Sequence, residues 1–153
     1  MKKSALPPLF LAPVLALACG RGALTPEDLP LDRVNCARCG MLVSDPASAA
    51  EVVFRGADTR FYDDLGCLAS APIPGGQPHE IWVRADGGKT WKRGREAFYA
   101  RPRESRTPMG YGFLAFSSRE DARSRDRDGK AWGWEQVRAE ISGAGGKAAG
   151  GTS

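Results

Sequence analysis

Apolar and polar positions alternate over short stretches of this chain, and the stretches are separated by turn-forming residues. Glu51-Val52-Val53-Phe54-Arg55 reads as a strand, Gly56-Ala57-Asp58 as its turn, and Thr59-Arg60-Phe61-Tyr62 as the partner that closes a hairpin. Asp63 can cap a short helix through Asp64, Leu65, Gly66, Cys67, Leu68 and Ala69, which lifts Cys67 off the end of the second strand. The Pro- and Gly-rich stretch Pro72 to Pro78 ends that unit. Glu80 to Arg84, with Ile81, Trp82 and Val83, predicts a further strand, and Asp86-Gly87-Gly88 a tight turn before Trp91. A short element is expected over Glu96 to Tyr99. Thr107-Pro108-Met109-Gly110-Tyr111-Gly112 then leads into a strand over Phe113 to Phe116. Ser117 or Ser118 can cap a helix through Glu120, Ala122 and Arg125, and Ala131 to Val137 gives a last strand or turn. The Gly/Ala-rich tail, residues 142–153, is expected to be disordered. The class is α+β. The two halves are weakly alike, each with Gly-Met or Met-Gly, a strand ending in Phe, a polar cap and a short helix, which suggests an internal duplication.

The start of the chain belongs to a different pattern. Met1-Lys2-Lys3, an apolar run from Leu9 to Leu17, then Ala18-Cys19 has the layout of a secretory signal and is too short to span a membrane. The run closes on Ala-Leu-Ala-Cys, which resembles the lipobox of bacterial lipoproteins. Residues 1–18 are therefore read as a signal peptide of lipoprotein type and Cys19 as the lipidated first residue, with cleavage by an ordinary signal peptidase as the alternative. Residues 19–34 follow as a flexible tether, and residues 35–141 as the domain itself. The expected location is exported and membrane-anchored, on the periplasmic face or the cell surface.

At 153 residues the chain has room for one domain or two very small ones. Its formal charge of +4 falls to about +2 once Lys2 and Lys3 leave with the leader, too little to argue for nucleic acid. Residues 20–83 carry nine acids against five bases and residues 84–138 fourteen bases against eight acids, an asymmetry that can orient a partner during encounter.

Candidate chemistry concentrates between Asn35 and Val43. Cys36 and Cys39 sit three apart and Met41 follows two residues later, giving three sulfur donors in one short loop. Soft sulfur favours Cu(I), Zn(II) or iron–sulfur clusters, and a neutral thioether suits Cu(I) better than zinc. Met41 can equally open an ordinary apolar strand. In an exported chain an idle cysteine pair tends to oxidise, yet Cys36, Cys39 and Cys67 make an odd count, which a metal site accommodates and a pure disulfide framework does not. Asp63 and Asp64 read first as cap and solvated charge, and can also orient Cys67 or attract a cation. Two alternatives stand beside copper. One is a structural Zn(II) module of Cys36, Cys39, Cys67 and the lone His79. The other is a thiol-disulfide oxidoreductase on Cys36 and Cys39. Hydrolytic motifs are missing, and no small-molecule substrate or enzyme activity is expected.

The ordered set of motifs resembles the nitrous oxide reductase accessory lipoproteins of NosL type. It comprises the lipoprotein-like leader, Cys36-x-x-Cys39-Gly40-Met41, Phe61-Tyr62-Asp63-Asp64-Leu65-Gly66-Cys67, the Trp82-Val83 strand and Thr107-Pro108-Met109-Gly110, spread over about residues 35–137. The resemblance implies two small similar ββαβ-type units and a Cu(I)-binding chaperone that delivers copper to nitrous oxide reductase. Cys39 and Met41 match its Cys-Gly-Met loop and Met109 its Pro-Met-Gly methionine. Many relatives carry histidine just before the loop, where this chain has Cys36-Ala37-Arg38. The site implied here is Cys36, Cys39, Met41, Cys67 and Met109.

Overall fold

A computed structural model of the chain describes residues 22–148, with side chains described through residue 143. The expected signal peptide, Cys19 and residues 149–153 lie outside the described residues. The order is β1 (Ala50–Phe54), β2 (Arg60–Tyr62), α1 (Leu65–Ser70), β3 (His79–Ala85), β4 (Thr90–Arg93), β5 (Phe98–Ala100), β6 (Leu114–Phe116), α2 (Arg119–Arg125) and α3 (Trp134–Ala148). The mixed α+β class follows directly, and no described helix is long and apolar enough to cross a membrane.

One six-stranded sheet runs through both halves of the chain in the order β2-β1-β3-β6-β5, with β4 paired to β3 off that path. The β1–β2 hairpin closes in the register Ala50↔Tyr62, and β3 pairs antiparallel on the other side of β1 from Ala50↔Val83 to Phe54↔His79. A single parallel pair, Ala85↔Ala115, joins β3 to β6. The alternation in β1 sends Ala50, Val52 and Phe54 into the main core, where they meet Tyr62, Leu65, Leu68, Val83 and Phe113.

The opposite face of β1 is also buried, and the segment expected to be a flexible tether is the reason. From Gly22 onward it is bound to the sheet: the Arg55 guanidinium donates to the Gly22 carbonyl at 2.8 Å, Trp82 Nε1 to the Leu24 carbonyl at 3.0 Å, and the Glu27 N–H to Glu51 Oε1 at 2.8 Å. Thr59 Oγ1 donates to Glu27 Oε1 as well. Leu29, Leu31 and Val34 then pack on the core edge and lead straight into Cys36.

Five of the six residues of α1 are buried, and its N-cap is Asp64, whose side chain accepts from the Gly66 N–H, rather than Asp63 as expected. Ser118 caps α2, whose acids lie in the first turn and arginines in the last, as the helix dipole favours. The C-terminal element is a helix where a strand or turn and then a disordered tail were expected. Trp134, Val137 and Ile141 recur at helical spacing, are buried, and seat α3 against α1 and the core.

Gly66 is a point of close approach between the two halves. A Cβ there would fall inside the Tyr111 side chain, which lies across the first turn of α1. Gly66→Ala is therefore expected to push the 107–112 loop away and to cost about 1–3 kcal/mol, read as a lowered urea midpoint.

Candidate metal centre

The loop carrying the cysteine pair is a miniature hairpin. An isolated bridge joins Asn35 to Leu42, the Cys36 N–H donates to the Met41 carbonyl at 2.7 Å, and the Gly40 N–H to the Cys36 carbonyl at 2.9 Å. Gly40 has φ of 78°, the left-handed region that lets the chain turn back after Cys39. Two further bonds fix the loop in place: the Ala37 N–H donates to the Phe61 carbonyl of β2 at 2.8 Å, and the Val43 N–H to the Val34 carbonyl at 3.0 Å. The loop thus sits beside the end of the β1–β2 hairpin.

That end is where β2 passes into α1 through Asp63 and Asp64, with Cys67 in the first turn of the helix. The sulfurs of Cys36, Cys39 and Cys67 and a carboxylate oxygen of Asp63 all lie within 4.8 Å of one another. Cys36, Cys67 and Asp63 are buried and Cys39 is half-buried, so the cluster opens to solvent on its Cys39 side. The Cys39 thiol donates to both Asp63 oxygens, at 3.5 and 3.6 Å. Burial pushes the Cys36 thiol up from its ordinary range, and pushes Cys67 further up, helped by the negative charge of Cys36, Asp63 and Cys39 when ionised. All three cysteines are free thiols.

Both methionines lie at the surface. Met41 is 47% exposed and Met109 43%, so the reading of Met41 as core is ruled out. Met109 comes from the other half of the chain and is brought over by Asp64, whose Oδ2 accepts from the Met109 N–H at 3.0 Å and from Thr107 Oγ1 at 2.6 Å. Thr107 Oγ1 in turn accepts from the Gly112 N–H at 3.0 Å. The structure therefore joins the backbones of the two methionine loops to the walls of one cluster.

One expectation fails here. His79 is exposed and pairs with Phe54, at the end of β1 remote from Ala50 and Tyr62; four strand residues separate these ends by about 13 Å. It cannot complete a Cys3His zinc set, and the group that stands with the three cysteines is Asp63. Burial keeps Cys36 from solvent and pushes its thiol upward, so the half-buried Cys39 is the accessible thiol of the pair. The Asp63 carboxylate, expected first as a cap and second as a group that orients Cys67 or attracts a cation, stands among the thiols themselves. The pair Asp63-Asp64 carried the signal: one aspartate suffices for a cap, and the other is free for a second role.

No family model and no curated protein matches this sequence. Among solved structures, the chain is similar to the crystal structure of the copper chaperone NosL from Shewanella denitrificans, at 18% identity and a TM-score of 0.64, over 75% of this chain and 96% of that one. That likeness shows a shared NosL-type fold.

Proposed function

We propose that this chain is a Cu(I)-binding accessory protein that hands copper to an exported copper enzyme. The single observation that carries the reading is the cluster of three thiols, half-opened to solvent beside two exposed methionine loops, on the fold of a copper chaperone. Nitrous oxide reductase is the client that the motif resemblance implies, and lipidated Cys19 would hold the domain at a membrane surface. The architecture fits the ββαβ-type pair as well. The order β1-β2-α1-β3, and β5-β6-α2 before the Tyr99↔Trp132 bridge, supports that reading.

The cargo is a soft monovalent ion and the donors are soft. Cys39, at the open side, meets an incoming ion first and is the last to release it. Cys36 and Cys67, whose burial favours the protonated thiol, give up protons to solvent when they take part, so loading strengthens as pH rises. Met41 and Met109 add neutral thioethers, which bind copper without adding negative charge. A set of this kind passes the ion to an incoming donor one ligand at a time.

An anaerobic Cu(I) titration of the reduced chain against a chromophoric chelator tests this. One equivalent is expected to bind, with affinity falling at least tenfold in Cys39→Ser and measurably in Met109→Ala while the far-UV circular dichroism of both is unchanged. Copper binding no tighter than the chelator's own, or indifferent to Cys39, defeats the proposal.

A further inference from the structure

Asp63 is in an unusual position for a carboxylate. It is fully buried, and its side chain meets the thiols of Cys39, at 3.5 and 3.6 Å, and of Cys36, both weak donors. No arginine or lysine forms an ion pair with it among the described residues. Its backbone carbonyl, by contrast, is held by Ser48 Oγ at 2.7 Å, which fixes the residue where it stands. Burying a carboxylate with so little compensation is costly unless a cation arrives. Asp64 next to it is fully committed to the Gly66, Thr107 and Met109 bonds, so Asp63 is the free acid of the pair.

We infer that Cys36, Cys39, Cys67 and Asp63 form a tetrahedral site for a divalent thiophilic ion, Zn(II) being the chemical type, and that Asp63 is the residue that admits it. The distances support four-coordination. Zinc bonds of about 2.3 Å to sulfur and about 2.1 Å to oxygen give a tetrahedral sulfur–oxygen edge of about 3.6 Å and a sulfur–sulfur edge of about 3.8 Å. The Cys39 sulfur already stands 3.5 and 3.6 Å from the Asp63 oxygens, and no pair of ligand atoms in the set is more than 4.8 Å apart. Closure to bonding geometry asks for side-chain movements of the order of 1 Å.

Charge then separates the two kinds of ion. On three thiolates and a carboxylate a divalent ion leaves two negative charges in excess, and a monovalent ion leaves three, which a buried site tolerates less well. Oxygen is also a poor donor for monovalent copper and an ordinary one for zinc. Asp63 thus belongs to the divalent set, whereas Cu(I) is served by the thiolates and the exposed thioethers. The inference shares its thiols with the copper reading but does not depend on it, since zinc binding needs neither methionine.

The test uses the reduced full chain in two measurements. Zinc competition against a chromophoric chelator is run on wild type and Asp63→Asn, beside Cu(I) competition on the same samples. The expected result is one zinc equivalent in wild type and a loss of at least tenfold in zinc affinity in Asp63→Asn, larger than the change in Cu(I) affinity on the same samples. The second measurement needs no variant and so stands if Asp63→Asn fails to fold. Co(II) added to wild type is expected to give the intense visible bands of a tetrahedral site together with sulfur-to-cobalt charge transfer. Weak octahedral cobalt bands, or zinc binding unchanged in a folded Asp63→Asn, overturns the inference. Tight Cu(I) binding with no zinc binding overturns it and leaves the copper proposal standing, while loss of both ions removes both.

Discussion

Asp64→Ala is expected to lower the free energy of unfolding by about 3–5 kcal/mol, the largest effect of any single substitution near the site. One buried carboxylate makes three bonds there. Oδ1 caps α1 through the Gly66 N–H at 2.8 Å, and Oδ2 takes Thr107 Oγ1 at 2.6 Å and the Met109 N–H at 3.0 Å. Loss of the cap alone is worth about 1 kcal/mol. The remainder comes from buried donors left without a partner, each about 1–3 kcal/mol, because Thr107 and the carboxylate site are shut away from water. The damage spans both halves of the chain, since Asp64 lies 43 and 45 residues from the groups it holds. At the proposed copper site, affinity should fall along with stability as the Met109 loop comes free of α1. Asp64→Asn, with one acceptor oxygen in place of two, should lie between wild type and alanine. Urea unfolding of the three proteins decides it, and a cost below 1 kcal/mol for alanine would mean that the loop is held by Tyr111 packing on Gly66 instead.

How far the sequence speaks depends on whether the signal is local. The β1–β2 hairpin is local: a strand, a turn with Gly56 in the left-handed region and a second strand are written within thirteen residues, and it forms within a residue or two of its expected bounds. The cysteine pair is equally local, and its loop closes on Gly40. Cys67 joins Cys36 and Cys39 because a short helix follows the hairpin at once, which the pattern after Tyr62 also indicates. The 107–112 loop is different. Its motif is visible, but its attachment to α1 rests on a hydrogen bond between residues 43 apart and on the absence of a side chain at Gly66. Nothing in either segment alone states that pairing.

The errors have similar causes. Trp132 and Trp134 with Gly133 between them look like a strand or a turn, and the helical spacing of Trp134, Val137 and Ile141 runs on into a Gly/Ala stretch of poor helix propensity. Packing against α1 and the core overrides that propensity. Residues 22–34 carry prolines and glycine and read as a linker, yet Glu27 finds Glu51, and the Leu24 carbonyl finds Trp82, 58 residues away. A polar residue inside the β1 pattern was the available clue, for a glutamate flanked by Ala50 and Val52 on a central strand needs something to cover it.

That glutamate also sets the second large effect. Glu51 is fully buried, Oε1 accepts from the Glu27 N–H, and Oε2 has no partner among the described residues. Burial pushes its carboxyl up to about 7 from 4.5, with the nearby Glu27 charge adding to the rise, and the Glu27 N–H bond and Arg84 opposing it. The folded state therefore holds this proton more tightly than the unfolded chain does. Its contribution to stability is fully present below about pH 4.5 and is lost as the pH rises to about 7, with a slope approaching about 1.4 kcal/mol per pH unit and a total of up to about 3 kcal/mol. Above that window both states are ionised and the slope vanishes. Glu51→Gln keeps the shape and the acceptor oxygen but cannot ionise. The variant should match wild type near pH 4.5 and exceed its stability by about 1–3 kcal/mol at pH 8, the gap opening between those values. Denaturant midpoints of both proteins across that range measure the difference directly. A gap that stays constant with pH would show that the carboxyl is not the group that titrates. Because the same residue fastens the segment leading into Cys36, amide exchange at Glu27 should slow in the variant at high pH in parallel with the gain in stability.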